Sequence, residues 1–286
     1  MRFGCLPRPA PLRAIPAYTA AACMMLAASA APASAASAWK ASPQSRARLV
    51  DGGVAPDGTR RAGIEIELEP GAHTYWRSPG DTGVPPMLST EGSTNLADAS
   101  PRFPAPTAIE EAGQTVFGYR DHVVLPIVVR ATDPGKPVDL AVDLAYATCA
   151  DICVPANLKA TLTLGAKPAP ADEVALVAAA EARVPKPADV PGAPTITARP
   201  APSEKGKPAW HIDVTPAMAE ATIFPEAPEP WFLTARRDPA GGFLVTAEEA
   251  PKDTDSAARV EATLTLVGPS DAYEKRLDLD AAQPAP

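Results

Sequence analysis

Two cysteines separated by three residues, Cys149 and Cys153, are the side chains of this sequence best suited to chemistry. A close pair can cycle between dithiol and disulfide, hold a soft metal ion, or staple a turn. Closing so small a loop removes little chain entropy, on the order of 2 kcal/mol, so stapling alone is a weak reason for the pair. Asp151 stands between the cysteines, and no Lys, Arg or His occurs from Thr148 to Ala156. Nothing local stabilises a thiolate there. Such a pair is a poor attacking nucleophile and a better relay, engaged by a partner that brings its own reactive thiolate. Redox exchange is therefore the favoured reading, with metal binding and a stapling bridge as alternatives. The three histidines, His73, His122 and His211, show no metal-ligand spacing among themselves and no triad arrangement. No metal site is assigned from the sequence, and His122, between Asp121 and Val123, reads as a solvated residue.

The elements that must position the pair are legible on both sides of it. Val138, Leu140, Val142, Leu144 and Tyr146 alternate with Asp139, Ala141, Asp143, Ala145 and Ala147. Val154, Ala156, Leu158, Ala160, Leu162 and Leu164 repeat the pattern downstream. Period-2 alternation of this length predicts two strands with one buried face each. A hairpin with Ala150-Asp151-Ile152 as its loop pairs positions whose numbers sum to 302, so Leu144 meets Leu158 and Cys149 meets Cys153. Opposed Cα atoms then lie roughly 4.5–5.5 Å apart, within reach of a disulfide. Both sulfurs fall on the odd-numbered face with Asp139 and Asp143, which predicts access from solvent. Pro155 lacks an N–H and predicts an edge or bulge just past the second cysteine.

Residues 1–38 read as an export signal. Arg2, Arg8 and Arg13 precede an apolar stretch, Ala14–Ala31, and small-residue cleavage triplets follow at Ala33-Ser34-Ala35 and Ala36-Ser37-Ala38. Cleavage removes Cys5 and Cys23 and leaves one close pair, too few for a disulfide scaffold in an oxidising compartment. Removing the three arginines takes the formal charge from −8 to about −11, which argues against nucleic acid as a partner. No later stretch approaches the ~20 apolar residues of a spanning helix. The 36 prolines and 18 glycines fall short of the proportion that marks disorder and instead punctuate short strand-like runs.

The expected fold class is all-β: two immunoglobulin-like β-sandwich domains joined by a short helix and a Pro-rich linker. A first domain over 39–166 has strands at Arg46–Val50, Gly63–Leu68, Thr74–Arg77, Val123–Arg130, Val138–Tyr146 and Val154–Leu164. A long Pro-rich segment, Ser78–Gln114, shapes a surface between them. Residues 167–194 hold a helix at Ala169–Arg183 and the semi-rigid linker Pro185–Pro194. A second domain, 195–286, has seven short strands, with Trp210 and Trp231 read as core.

Several blocks together resemble a known family. They are Tyr75-Trp76-Arg77-Ser78-Pro79-Gly80-Asp81 with Gly83 and Pro85-Pro86, Phe103-Pro104-Ala105-Pro106, Phe117-Gly118-Tyr119 leading into Val124-Leu125-Pro126, and Cys149 through Pro155. Over about residues 40–166 the chain resembles the N-terminal periplasmic (alpha) domain of DsbD-type thiol:disulfide interchange proteins, in the ScsB-like branch. The resemblance implies an immunoglobulin-like domain whose Cys149/Cys153 pair takes electrons from a membrane-embedded thiol reductase of the DsbD/CcdA type. It passes them to thioredoxin-like periplasmic proteins as a thiol:disulfide oxidoreductase, without a cofactor. It also implies a cap loop with an aromatic ring over the cysteines. Gly113–Tyr119 occupies that position, with Gly113 and Gly118 as hinges and Phe117 or Tyr119 as the ring. Phe117, Tyr119, Asp151 and Tyr75 are the expected cap or partner-binding residues.

Two rival functions come from other classes. A copper-handling protein would hold Cu(I) through the C-x3-C pair, as Sco-type chaperones do with that spacing, recruiting His73 or His122. A structural binding module would use the bridge only as a staple.

Overall fold

The structure, a computed structural model, describes residues 1, 4, 36–111, 113–204, 206–251 and 259–280. Most of the leader expected over residues 1–38 lies outside these. From the N-terminal side the chain forms β1 (Lys40–Ser42), β2 (Ser45–Val54), β3 (Arg60–Leu68), β4 (His73–Tyr75), β5 (Met87–Ser89) and β6 (Leu96–Pro101). It continues through β7 (Thr107–Glu111), β8 (Gln114–Arg120), β9 (His122–Ala131), β10 (Val138–Cys149) and β11 (Cys153–Leu164). One sheet has the order β1-β2-β3-β9-β6; the facing sheet runs β11-β10-β4-β8-β7, with β5 on β10.

The alternation in β10 buries Val138, Leu140, Val142 and Leu144 against Leu49, Ile64, Ile127 and Val129 of the first sheet. Burial of one face from each sheet is what drives two such sheets together. The β10–β11 register has the predicted sum throughout, from Val138↔Leu164 to Cys149↔Cys153. β11 is the edge strand, consistent with Pro155 inside it. The segment Ser78–Gln114, read as a surface without strands of its own, contains β5, β6 and β7. Their short, Pro-interrupted runs gain stability from pairing with β10, β9 and β8, a long-range contribution absent from local pattern.

Helix α1 (Ala171–Glu181) follows. It packs on the first sandwich: Val177 is buried, and a Cβ at Gly52 or Gly63 would press into its side chain. Glu173 accepts hydrogen bonds from the backbone N–H groups of Ala36 (3.2 Å) and Asp51 (3.0 Å).

Beyond it lie β12 (Lys186–Pro187), β13 (Thr195–Glu204), β14 (Lys207–Thr215), β15 (Thr222–Glu226), β16 (Phe232–Arg237), β17 (Phe243–Glu249), β18 (Arg259–Val267) and β19 (Ala272–Asp280). They form two four-stranded sheets, β12-β19-β18-β15 and β13-β14-β17-β16, and each of the seven expected strands is present. Trp210 is fully buried in the core between them and its indole N–H donates to Asp280 O (2.9 Å). The two sandwiches meet through Phe224, whose ring joins the first core beside Trp76 and Phe117. Arg77, stacked on Trp76, donates to Glu226 and Glu274 across the same seam. No described helix is long and apolar enough to cross a membrane.

Candidate functional site

The hairpin brings Cys149 and Cys153 together as a disulfide, with Cα atoms 4.1 Å apart. Their surroundings come from the other side of β10. There β4 pairs with the last residues of the strand, Thr148↔Thr74 and Cys149↔His73. Next to it, β8 sets Tyr75 against Gly118, and β7 sets Ile109 against Val116 and Glu111 against Gln114. Paired residues share a face and side chains two apart share a face. Cys149, His73, Tyr75, Val116, Ile109 and Glu111 therefore converge on one side of one sheet.

That side carries a small core of its own, made of Tyr75, Ile109, Val116, Ala147 and Cys149. Cys149 is completely buried in it, whereas Cys153 is exposed. The expectation that both sulfurs face solvent is corrected for Cys149. The alternation of β10 gives the face correctly, but β4 and the β7–β8 hairpin cover that face at the cysteine end.

Three polar groups complete the site. The Tyr75 hydroxyl lies 2.8 Å from Cys149 Sγ and 2.9 Å from Glu111 Oε2. Burial, reinforced by the neighbouring Glu111 carboxylate, pushes the Tyr75 phenol far above its ordinary range, so it stays a proton donor. Glu111 also meets His73 Nε2 at 3.0 Å and Cys153 Sγ at 3.1 Å. His73 is buried and stands edge-on to the Tyr75 ring, centroids 5.5 Å apart. Among the described residues, His73, Glu111 and Cys149 form a group of possible metal ligands, their donor atoms all within 4.8 Å of one another.

Of the residues singled out in the sequence, Tyr75 lies against the pair and Asp151 is exposed in the turn between the cysteines. Phe117 and Tyr119 lie elsewhere. They occupy the face of β8 opposite Val116, directed at the main core. The Phe117 ring meets Phe224 edge-to-face at 4.8 Å. The Tyr119 hydroxyl donates to Pro104 O at 2.8 Å, and burial pushes its phenol well up. The segment read as a cap loop with glycine hinges is strand β8. Gly118 serves close approach, because a Cβ there would run into the Thr74 carbonyl oxygen. What covers Cys149 is Tyr75 and the tip of the β7–β8 hairpin at Glu111. His122 is half-exposed and pairs with Glu65 at 3.0 Å, away from the site.

Beside Cys153 lies an apolar groove of about 350 Å³. Val84, Pro85, Met87, Val154 and Pro155 line it, and Met87 is 72% exposed. Glu111 was not identified from sequence, and His73 was named there only as a ligand that a copper site would recruit. His73 had a signal, being two residues before Tyr75 and so on its face; Glu111 had none, since it arrives through the order of the sheet.

Residues 43–165 match the family described as thiol:disulfide interchange protein DsbD, N-terminal. Among solved structures, the crystal structure of the N-terminal periplasmic domain of ScsB from Proteus mirabilis superposes with a TM-score of 0.68 at 22% identity. The match covers 87% of this chain and 100% of that one. At that identity the likeness is one of fold, and it extends across both sandwiches. No curated protein matches the chain.

Proposed function

We propose that this chain, which carries a DsbD-type N-terminal domain over residues 43–165, is a periplasmic electron relay working through Cys149 and Cys153. The observation that carries the reading is the asymmetry of the pair: one sulfur buried beneath Tyr75, the other exposed beside an apolar groove. A partner's thiolate attacks Cys153 Sγ, the sulfur within reach. The S–S bond breaks and Cys149 departs as a thiolate, and the Tyr75 hydroxyl turns its one proton from Glu111 to that sulfur. The partner's second thiolate then attacks its own sulfur in the mixed disulfide, closing the partner's disulfide and releasing Cys153. Two electrons have moved, and two protons from solvent or partner complete the dithiol. The reverse sequence hands the electrons to an oxidised acceptor.

Donor and acceptor fit two classes, a membrane-embedded thiol reductase and thioredoxin-like periplasmic proteins, with the groove as the docking surface. Glu111, 3.1 Å from Cys153 Sγ, works against a free thiolate there. The reduced pair is thereby kept from attacking indiscriminately. No cofactor takes part. We assign residues 39–166 to the redox domain, 167–194 to the helix and linker and 195–286 to the second sandwich, with 1–38 removed on export.

The test is trapping. Cys149→Ser leaves Cys153 as a free thiol, which should attack the disulfide of an oxidised thioredoxin-like partner and hold it as a stable mixed disulfide, whereas Cys153→Ser should capture little. Equal trapping by both variants, or by neither, would remove the reading.

A further inference from the structure

We propose that the reduced pair, together with His73 and Glu111, forms a binding site for a thiophilic divalent cation, with Zn2+ the best fit. The inference rests on the relay reading only in that the disulfide must open to a dithiol.

The four donors come from four strands, β4, β7, β10 and β11, and meet at one point. Cys149 Sγ, a His73 ring nitrogen and a Glu111 carboxylate oxygen already lie within 4.8 Å of one another. Cys153 Sγ, bonded to Cys149 in the oxidised state, lies 3.1 Å from Glu111 Oε1. Zinc bonds of about 2.0–2.3 Å in a tetrahedron set ligand atoms roughly 3.3–3.8 Å apart, a spacing these four donors reach through small side-chain movements. Two of the four are held in place by the sheet: Cys149 and His73 are direct cross-strand partners and both are buried. Tyr75, which donates to Glu111, becomes an orienting group behind the ligands, as carboxylate ligands commonly require.

The donor set also selects among metals. Two thiolates, an imidazole and a carboxylate match the mixed sulfur, nitrogen and oxygen preference of Zn2+. Cu+ is served by the thiolates alone and draws nothing from a carboxylate. Binding converts two thiols to thiolates, releases two protons to solvent and leaves both sulfurs unable to re-form the disulfide. Zinc would thus hold the pair in its reduced state and withdraw it from exchange.

The test uses the purified protein with the pair reduced by a phosphine, so that it needs no protein partner. Zn2+ is titrated anaerobically against a chromophoric chelator, and Co2+ substitution reads the coordination through its visible spectrum. The expected result is one ion per reduced chain, a tetrahedral Co2+ spectrum with thiolate charge transfer, and no comparable binding to the oxidised protein. His73→Ala should weaken Zn2+ binding at least 100-fold and Glu111→Gln about 10-fold, by analogy with the losses seen when supporting groups are removed. Far-UV circular dichroism checks that both variants fold; Glu111→Gln keeps the shape of the side chain. Equal binding by the oxidised protein, affinity indifferent to His73 and Glu111, or Cu+ bound by the two sulfurs with Zn2+ refused would each overturn the proposal. Failure here with successful partner trapping leaves the relay standing, and the converse holds as well.

Discussion

Reducing the disulfide should lower the stability of the protein by only about 2 kcal/mol. The bridge closes a loop of five residues counting both cysteines, and the chain-entropy relation for that length gives about 2 kcal/mol at 25 °C. What holds the hairpin is independent of the bridge. Twelve cross-strand pairs run from Val138↔Leu164 to Cys149↔Cys153, and Val138, Leu140, Leu158 and Leu164 are fully buried. Each fully buried side chain of this size is worth roughly 1.5–3 kcal/mol, so the apolar register outweighs the staple. For a protein of this length the loss corresponds to a fall in melting temperature of roughly 4–8 °C. The assay is thermal and urea unfolding of the protein before and after phosphine reduction, with circular dichroism as the signal. A relay needs both redox states folded. Unfolding at 25 °C on reduction, or a loss above about 5 kcal/mol, the upper end for native structural disulfides, would refute the reasoning and favour a structural staple.

Other outcomes follow from the same geometry. Tyr75→Phe removes the hydroxyl that meets Cys149 Sγ; a hydrogen bond to a charged group is worth about 1.5–3 kcal/mol, so reduction of the disulfide by a small dithiol should slow about tenfold or more, read as a stopped-flow rate. Phe117→Ala should cost about 2 kcal/mol for a partly buried ring, through loss of its contact with Phe224, while the oxidation rate of the reduced pair by small oxidants stays unchanged. Acid should loosen the β10–β11 hairpin. Hydrogen bonds from Thr163 and Thr94 hold the Asp139 carboxyl below its ordinary value, and Lys159 and Asn157 do the same for Asp143. Carboxyls depressed in the folded state contribute stability that is present above the unfolded value near 4 and lost as pH falls through the folded one. Urea midpoints should therefore drop below pH 4, with a shallower slope in Asp139→Asn and Asp143→Asn.

How far the site was legible depends on which contacts are local. The β10–β11 pairing followed from period-2 alternation and a three-residue loop, because both strands are contiguous and one turn fixes the register. The depth of Cys149 did not follow. Its cover comes from β4 and β7, 38 to 76 residues away in sequence, and alternation tells which face a residue takes without telling what lies on it. Phe117 shows the same limit. An aromatic beside two glycines resembled a cap, yet the β4–β8 register pairs Tyr75 with Gly118. Val116 then faces the cysteines, and Phe117 and Tyr119 face the other way. His73 and Glu111 meet only because the sheet runs β10-β4-β8-β7, an order no local motif encodes. In the second half, seven short runs between turn formers were each found as strands, since there every signal needed was short-range.

The most direct measurement of the central claim is two-electron exchange between the purified protein and a thioredoxin-like partner, quenched in acid and read by thiol alkylation and mass spectrometry. Oxidised protein mixed with the reduced partner should gain two alkylated thiols, Cys149 and Cys153, as the partner loses two, and the reduced protein should return them to an oxidised acceptor. Cys149→Ser, mixed with the oxidised acceptor, should halt at a mixed disulfide through Cys153. A pair that stays oxidised before every reduced partner, or stays reduced before every oxidised one, would contradict the account.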